Sequence, residues 1–166
     1  MISVILPTYN DEATLGDALA DLVPAAVDGL VREVLAADAG STDATLDILE
    51  DAGARRVGAG GALGGRLAAA AQAAKGQWLM VLPPRPVLFP GWERQVAQHL
   101  ERHADAIGLP APQRRGLLPA PRIEALLIAR LRYDRASGFQ VTDKSVAALL
   151  RRAGKPTRRL PILLNG

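Results

Sequence analysis

The segment ADAGSTDAT carries two carboxylates, Asp38 and Asp43, in a position suited to ligand binding. The apolar run Val34–Ala37 before them predicts a buried strand, which places Asp38 at the carboxyl end of that strand. A carboxylate there accepts hydrogen bonds from the base edge or ribose hydroxyls of a nucleotide, and Gly40 lets the backbone approach closely. The structural alternative is that Ser41 caps the next helix while Asp43 interacts favourably with the helix dipole.

A second group of polar side chains follows the apolar run Ser3–Pro7, which predicts a central strand buried on both faces. Open α/β sheets bind ligands at the carboxyl ends of their strands, so the turn after this run is a candidate binding segment. Such turns also use Pro, Asn and Asp for local geometry alone. The candidate residues are Pro7, Thr8, Tyr9, Asn10 and Glu12.

Alternating strands and helices are needed to position these segments. Leu15, Leu19 and Leu22 have helical spacing after Asp11, and Pro24 is expected to end that helix. The alternation continues along the chain, which predicts a mostly parallel sheet with helices on both faces. The further predicted elements are helices at Thr42–Ala52, Leu67–Lys75 and Trp92–His103, and strands at Val34–Ala37, Arg55–Val57, Trp78–Leu82 and Ala106–Leu109.

The last third of the chain has weaker patterns. Residues 110–122 are rich in Pro, Gly and Arg and predict an exposed loop. Ile123–Leu131 and Lys144–Arg152 have helical spacing, and Leu160–Leu164 is a candidate edge strand or docked tail. His99 and His103 share a helix face at a spacing compatible with a metal, but without a third ligand we interpret them as a surface pair.

The order of these motifs resembles that of the inverting family 2 glycosyltransferases. The family motif Asp-x-Gly-Ser-x-Asp matches Asp38, Gly40, Ser41 and Asp43 position by position, and the Pro-Thr-Tyr-Asn turn is similar to the family's nucleotide-lining turn. The resemblance implies an α/β fold of the GT-A type and binding of a nucleoside diphosphate sugar. It implies one domain over 1–166, with a nucleotide-sugar half (1–92) and a shortened acceptor-side half (93–166).

The resemblance also implies roles for single residues. The ring of Tyr9 is expected against the base and ribose, and Arg66, after the glycine-rich turn, matches the arginine that reaches the diphosphate. Asp143 falls on the family's catalytic aspartate, which deprotonates the acceptor hydroxyl during an inverting transfer. Helix capping ahead of Lys144 is the structural alternative for Asp143.

One motif departs from the family. The metal-binding Asp-x-Asp is replaced by Pro83, Pro84 and Arg85.

 Residues 77–92 contain no Asp or Glu that could replace these ligands, so we expect no metal ion and no cofactor. Arg85 is permanently charged and binds phosphate bidentately, so it is expected to replace part of the metal's charge in a metal-independent transfer. The alternative is a catalytically inactive binding or scaffold domain.

Charge is distributed unevenly along the 166 residues. Residues 1–54 hold 11 acidic residues and one basic residue, whereas the remainder holds 19 basic and 6 acidic residues. The cationic half favours anionic partners, such as a nucleotide diphosphate or an anionic lipid surface, and its few aromatics argue against nucleic acid. The chain has no cysteine and no run of roughly 20 apolar residues, and we see no leader. We therefore expect a cytoplasmic protein, with any contact to a membrane at its surface only.

Overall fold

The computed structural model of the protein describes residues 1–58, 60–83, 86–103, 105, 107–112 and 125–163, except for the side chains of 109–112 and 161. Within these ranges the strands are β1 (Ile2–Thr8), β2 (Val31–Asp38), β3 (Arg55–Arg56), β4 (Trp78–Val81), β5 (Ile107–Pro112), β6 (Leu126–Ala129) and β7 (Arg158–Leu163). The helices are α1 (Glu12–Ala20), α2 (Val23–Val27), α3 (Thr45–Asp51), α4 (Leu63–Ala73), α5 (Trp92–Arg102), α6 (Arg130–Arg135) and α7 (Val146–Ala153).

The described strands form one mixed sheet in the order β3-β2-β1-β4-β6-β5-β7. Strand β1 pairs in parallel with β2 and β4, and β2 pairs in parallel with β3. Strand β6 is antiparallel to both β4 and β5, while β7 returns to run parallel with β5. The prediction of a mostly parallel sheet is therefore confirmed, and β6 is the strand that departs from it.

Helices cover both faces of the sheet. On one face α1, α2, α3 and α5 pack on a core that includes Val4, Met80 and Leu127. On the other face α4, α6 and α7 pack on a core that includes Ile5, Val81 and Ile128. Because side chains alternate between the two faces of a strand and both faces are covered here, β1 and β4 are mostly apolar, with Ser3 and Thr8 of β1 as the buried polar residues.

Several predicted elements differ from those observed. The helix predicted over Ile123–Leu131 is wrong: its described part forms strand β6 and the start of α6. Pro24 does not simply end the first helix, because α1 already ends at Ala20 and Pro24 lies in the first turn of α2. A proline is accepted there since the first turn of a helix leaves its N–H groups without helical partners.

The start of α4 lies four residues earlier than predicted, at Leu63 instead of Leu67. Gly64 is buried in this added turn, and a Cβ atom built on it would lie 2.0 Å from the backbone oxygen of Gln140. A glycine is therefore required where α4 meets residues 140–143. This close approach brings the segment that contains Asp143 to the beginning of α4.

Two other predictions concern the C-terminal half. The final strand is confirmed as β7 at the edge of the sheet, with its observed bounds at Arg158–Leu163. The interpretation of His99 as a surface residue is wrong, since only 1% of it is exposed. Most of the predicted loop 110–122 lies outside the described residues, and within them β5 continues to Pro112. No helix in the described part of the chain is long and apolar enough to cross a membrane.

Candidate functional site

The candidate site lies at the carboxyl ends of β1 and β2, two adjacent parallel strands near the centre of the sheet. Thr8 and Asp38, the last residues of these strands, are direct neighbours in the β1–β2 register. Because β1 and β2 are parallel, the chain leaves both at the same end of the sheet, and residues 9–12 and 39–44 form adjacent turns. We call this end, where the carboxyl ends of the parallel strands lie, the ligand-side edge or simply the edge of the site. This is the position at which open α/β sheets bind ligands.

Asp38 is fully buried between these turns and is surrounded by hydrogen-bond donors. Its Oδ1 accepts from the hydroxyls of Thr8 (3.1 Å) and Ser41 (2.6 Å). Its Oδ2 accepts from the backbone N–H groups of Gly40 (2.9 Å) and Ser41 (3.1 Å). Burial by itself would raise the pKa of Asp38, but these hydrogen bonds outweigh it and lower the pKa below its ordinary value.

The four hydrogen bonds to Asp38 affect its predicted role as a nucleotide ligand. A carboxylate offers about four lone-pair sites, and the four internal donors use them. The structure thus gives Asp38 a positioning role, because it fixes the turn that carries Gly40 and Ser41 to the end of β1. Direct contact between Asp38 and a nucleotide stays a prediction.

The two turns are joined to each other by reciprocal hydrogen bonds. The backbone N–H of Asn10 donates to the hydroxyl of Ser41 (3.0 Å), and the side-chain oxygen of Asn10 accepts from the N–H of Thr42 (2.9 Å). Asn10 adopts a left-handed backbone conformation with φ of 51°. Asparagine is one of the few non-glycine residues that tolerates this conformation, which explains its use in the turn.

A second set of contacts joins the start of α1 to the start of α3. The N–H of Glu12 donates to Asp43 (3.2 Å), and the carboxylate of Glu12 accepts from the N–H of Ala44 (3.0 Å). The N–H of Asp11 donates to the hydroxyl of Thr45 (2.8 Å). Desolvation raises the pKa of Asp43, but hydrogen bonds from Thr45 and Glu12 outweigh it and lower the pKa. The candidate residues of the two motifs thus form one hydrogen-bonded unit.

Tyr9 is the aromatic residue of this unit, and it is exposed. The residue is 60% exposed, whereas Thr8 beside it is buried and Pro7 is half-buried. The N–H of Tyr9 donates to the carboxylate of Asp11 (2.9 Å), which holds the backbone of the turn in place. An exposed aromatic ring on a fixed backbone can stack on a nucleobase.

Two arginines lie beside Asp38. Arg66 of α4 is half-buried, and its Nη1 donates to the backbone oxygen of Ala37. This contact holds Arg66, the residue predicted to bind the diphosphate, at the end of β2. Arg56 of β3 places its guanidinium 3.5 Å from Oδ2 of Asp38. Sequence reasoning missed Arg56, although its position on a short strand next to the Asp38 strand was a usable signal.

The end of β4 reaches the same edge. Pro83 shares a small cavity with Pro7, Thr8 and Asp11, which places the first residue of the altered Asp-x-Asp motif next to the β1 turn. Arg85, predicted to contact phosphate, lies outside the described residues together with Pro84. In the described ranges no three Asp, Glu or His side chains converge into a metal site.

Asp143, the predicted base, lies in the segment that packs on Gly64. Arg152 binds it through two short contacts, from Nη1 to Oδ1 (2.9 Å) and from Nη2 to Oδ2 (2.6 Å). Oδ2 also accepts from the N–H of Gln140 (2.9 Å). The hydrogen bonds from Arg152 are the main cause of a lowered pKa at Asp143. A lowered pKa makes a carboxylate a weaker base.

A larger cavity, of about 980 Å³, opens at the opposite end of the strands, where the parallel strands begin. Its lining includes Trp78 at the start of β4 and Ala129 at the end of β6, so it is separated from the Asp38 site by the length of β4. The guanidinium of Arg130, also in its lining, donates to the backbone oxygens of Ala71 and Ala74. The cavity contains none of the predicted site residues.

The order of strands and helices is that of the GT-A type of nucleotide-diphospho-sugar transferase fold, with the candidate site at the carboxyl ends of β1 and β2. The family model for glycosyl transferase family 2 matches residues 3–153, and the chain belongs to that family. The predicted family and fold class are thereby confirmed.

Among curated proteins, glucosyl-3-phosphoglycerate synthase from Mycobacterium tuberculosis (strain ATCC 25618 / H37Rv) is 50% identical over 44 residues. That segment is 26% of this chain and 13% of the synthase. The same enzyme from Mycobacterium bovis matches equally. The match thus spans about one eighth of the length of these relatives.

Solved structures match over more of the chain. S. aureus TarS 1-349 has a TM-score of 0.68 and 19% identity, covering 92% of this chain and 54% of TarS 1-349. The M. tuberculosis synthase in complex with UDP has a TM-score of 0.66 and 22% identity, covering 81% and 58%. At these identities the similarity shows the fold, and this chain spans little more than half of either structure.

One expectation needs correction. The altered Asp-x-Asp motif led us to expect no metal cofactor, but the M. tuberculosis synthase is solved in complex with Mn²⁺, UDP and glucosyl-3-phosphoglycerate. It is also solved with Mn²⁺ and UDP-glucose. A metal ion thus accompanies the nucleotide in these structures of the synthase, and one motif was too narrow a basis for expecting no metal in this chain.

Proposed function

We propose that this protein binds a uridine diphosphate sugar at the carboxyl ends of β1 and β2 and acts as a glycosyltransferase. The observation that carries the proposal is the hydrogen-bonded unit of residues 9–12 and 39–45, which fixes an exposed Tyr9 at this edge. Family membership supports the reaction class. The uridine moiety is suggested by UDP in the M. tuberculosis synthase structures.

The charges at the edge fit the two ends of such a ligand. A diphosphate is anionic, and Arg66 supplies a fixed guanidinium next to the end of β2. A nucleobase is planar and apolar on its faces, which suits the exposed ring of Tyr9. The unit holds both groups on secondary structure, so little conformational freedom would be lost on binding.

Sugar transfer with inversion needs a base for the acceptor hydroxyl, and we assign this role to Asp143. Its segment lies against the beginning of α4, three residues before Arg66. Arg152 occupies both carboxylate oxygens, so Asp143 must be released from Arg152 before it can accept a proton. Acceptor binding would then have to displace the guanidinium.

A second function is favoured by the same contact. If Arg152 remains bound, the nearly buried carboxylate of Asp143 stays paired and is a weak base, and the protein binds a nucleotide sugar without transferring it. The protein would then be an inactive binding or scaffold domain. Release of UDP from the bound donor in the presence of acceptors separates the two functions, because the scaffold leaves the donor intact.

The cationic surface of the second half suggests a further partner. Exposed basic residues lie on and after α7 and on the edge strand β7. We propose that they contact an anionic lipid surface, with attraction that weakens as salt screens it over about 8 Å at physiological strength. Co-sedimentation with phosphatidylserine vesicles at low and high salt tests this. The residues are Arg151, Lys155, Arg158 and Arg159.

Calorimetric titration tests the donor site. UDP and UDP-glucose are titrated with Mn²⁺ and with EDTA, since Mn²⁺ accompanies UDP in the synthase structures. Tyr9→Ala should lower UDP affinity about tenfold, because stacking contributes about 1–3 kcal/mol per base. Tyr9→Phe keeps the ring and should bind as the wild type does. Absence of UDP binding by the wild type under both conditions would refute the proposal.

A further inference from the structure

Arg56 is an unassigned charged residue at the candidate site. Its side chain is 40% exposed, while that of its ion-pair partner Asp38 is 0% exposed. Among the described residues, its guanidinium makes one polar contact, the 3.5 Å ion pair with Asp38. A guanidinium has five N–H donors, so most of them remain available at the edge of the site.

The adjacent strand ends give these groups an order across the site. Strands β3, β2 and β1 are neighbours in the sheet and end near Arg56, Asp38 and Tyr9. Strand β4, with Pro83 after it, lies on the other side of β1. A ligand that crosses this end of the sheet therefore meets Arg56 on one side and Pro83 on the other.

The carboxylate of Asp38 already accepts four hydrogen bonds from within the protein. Beside it, at the β2–β3 end, the guanidinium of Arg56 is a partly exposed hydrogen-bond donor. A donor group at this position selects for acceptors, and the carbonyl oxygens of uracil are acceptors on the base edge.

We propose that Arg56 is a specificity-determining residue that donates hydrogen bonds to the carbonyl oxygens of the nucleobase. The assignment rests on the proposed function, in which the base lies against Tyr9 and the diphosphate is bound by Arg66. Asp38 then acts through Arg56, since its buried charge holds the guanidinium at the strand end. The preferred ligand class is a nucleotide whose base carries carbonyl oxygens.

The experiment compares UDP with inorganic pyrophosphate, which lacks the base. Arg56→Ala should weaken UDP binding about tenfold, the expected effect of one charge-assisted hydrogen bond, and leave pyrophosphate binding unchanged. Arg55→Ala is the matched control, because the guanidinium of Arg55 on the same strand contacts Glu33 and the oxygen of Ala73. This control should bind both ligands as the wild type does.

Arg56→Lys keeps the charge beside Asp38, so it tests the assignment even if Arg56→Ala fails to fold. Lysine lacks the planar pair of donors, and we expect it to lose UDP affinity as well. Equal losses for UDP and pyrophosphate would place Arg56 on the phosphates and overturn the base contact. Unchanged UDP binding by both variants would also overturn it. Lack of any UDP binding by the wild type would instead refute the proposed function on which it rests.

Discussion

Arg152 binds both carboxylate oxygens of Asp143, with nitrogen–oxygen distances of 2.9 and 2.6 Å. The same guanidinium also donates to the backbone oxygen of Gly138 (2.8 Å). One side chain of α7 therefore fixes the segment 138–143, which in turn packs on Gly64 at the start of α4. The contact orders this segment, and in the proposed transfer it has to be broken before Asp143 accepts a proton.

Arg152→Gln should destabilise the protein by about 1–2 kcal/mol at pH 7. The expected loss is smaller than for a fully buried ion pair, because the Arg152 side chain is one-third exposed and solvent screens its charge. The folded pKa of Asp143 is lowered, so its stabilising contribution is present above the unfolded pKa of about 3.9 and is lost as pH falls toward the folded value. Urea unfolding at pH 7 and pH 3 should therefore show a smaller difference between variant and wild type at pH 3.

The exposed neighbour Arg151 supplies the control for this experiment. Arg151→Gln removes the same charge from the same helix without removing a described hydrogen bond to Asp143. It should unfold within about 0.5 kcal/mol of the wild type at either pH. An equal destabilisation by the two variants would mean that net charge, not the Asp143 contact, is responsible.

The sequence predicted the fold where burial leaves a clear pattern. Strands β1 and β4 are covered on both faces, so their apolar runs could be recognised without tertiary information. The run at Leu126–Ala129 is equally apolar, but its leucines and alanine also suit a helix. Its state as β6 depends on pairing with β4 and β5, which lie far away in the sequence.

The site could be located from the sequence but its hydrogen bonds could not. Asp38 and Asp43 follow a recognisable strand, and the parallel sheet places them beside the Tyr9 turn. That Asp38 would be saturated by internal donors depends on Thr8, 30 residues away, and on the backbone of Gly40 and Ser41. Such a count of donors requires coordinates, because no local pattern distinguishes a carboxylate used inside the protein from one used on a ligand.

Asp38→Ala should destabilise the protein strongly, by about 3 kcal/mol, because it leaves two hydroxyls and two backbone N–H groups without their acceptor. Asp38→Asn should cost less, about 1 kcal/mol, because its amide oxygen can accept the N–H groups while hydroxyls accept its NH₂. Chemical denaturation measures both. Asp28→Ala, at an exposed position, is the control, and equal stability of the two alanine variants would disprove the positioning role.

Gly64→Ala should destabilise the protein by several kcal/mol or displace residues 140–143. The new Cβ would lie 2.0 Å from the oxygen of Gln140 and 2.8 Å from the backbone oxygen of Asp143, and backbone atoms cannot move aside at low cost. Gly65→Ala is the matched control, since its nearest neighbour is Val141 at 3.9 Å. In thermal unfolding this control should be as stable as the wild type or gain up to about 1 kcal/mol from better helix propensity.

His99 provides a prediction of pH-dependent stability. Its ring is buried, and neither ring nitrogen has a hydrogen-bond partner among the described residues. Burial is the main cause of a pKa lowered from 6.5, and the positive charges of His103 and Arg158 act in the same direction. Trp78 packs edge-on against the ring, with 6.1 Å between the ring centroids, and offers no compensating negative charge.

A lowered histidine pKa means that the unfolded chain binds more protons than the folded one below pH 6.5. The wild type should therefore lose stability as pH falls from about 6.5 toward 5, in addition to any loss from carboxylates at lower pH. His99→Leu replaces the imidazole by an apolar side chain and should remove this loss, so that urea unfolding at pH 5.2 and pH 7.2 gives nearly equal free energies. If the variant keeps the full slope of the wild type between these values, the proton is taken up elsewhere and the buried His99 ring is not its source.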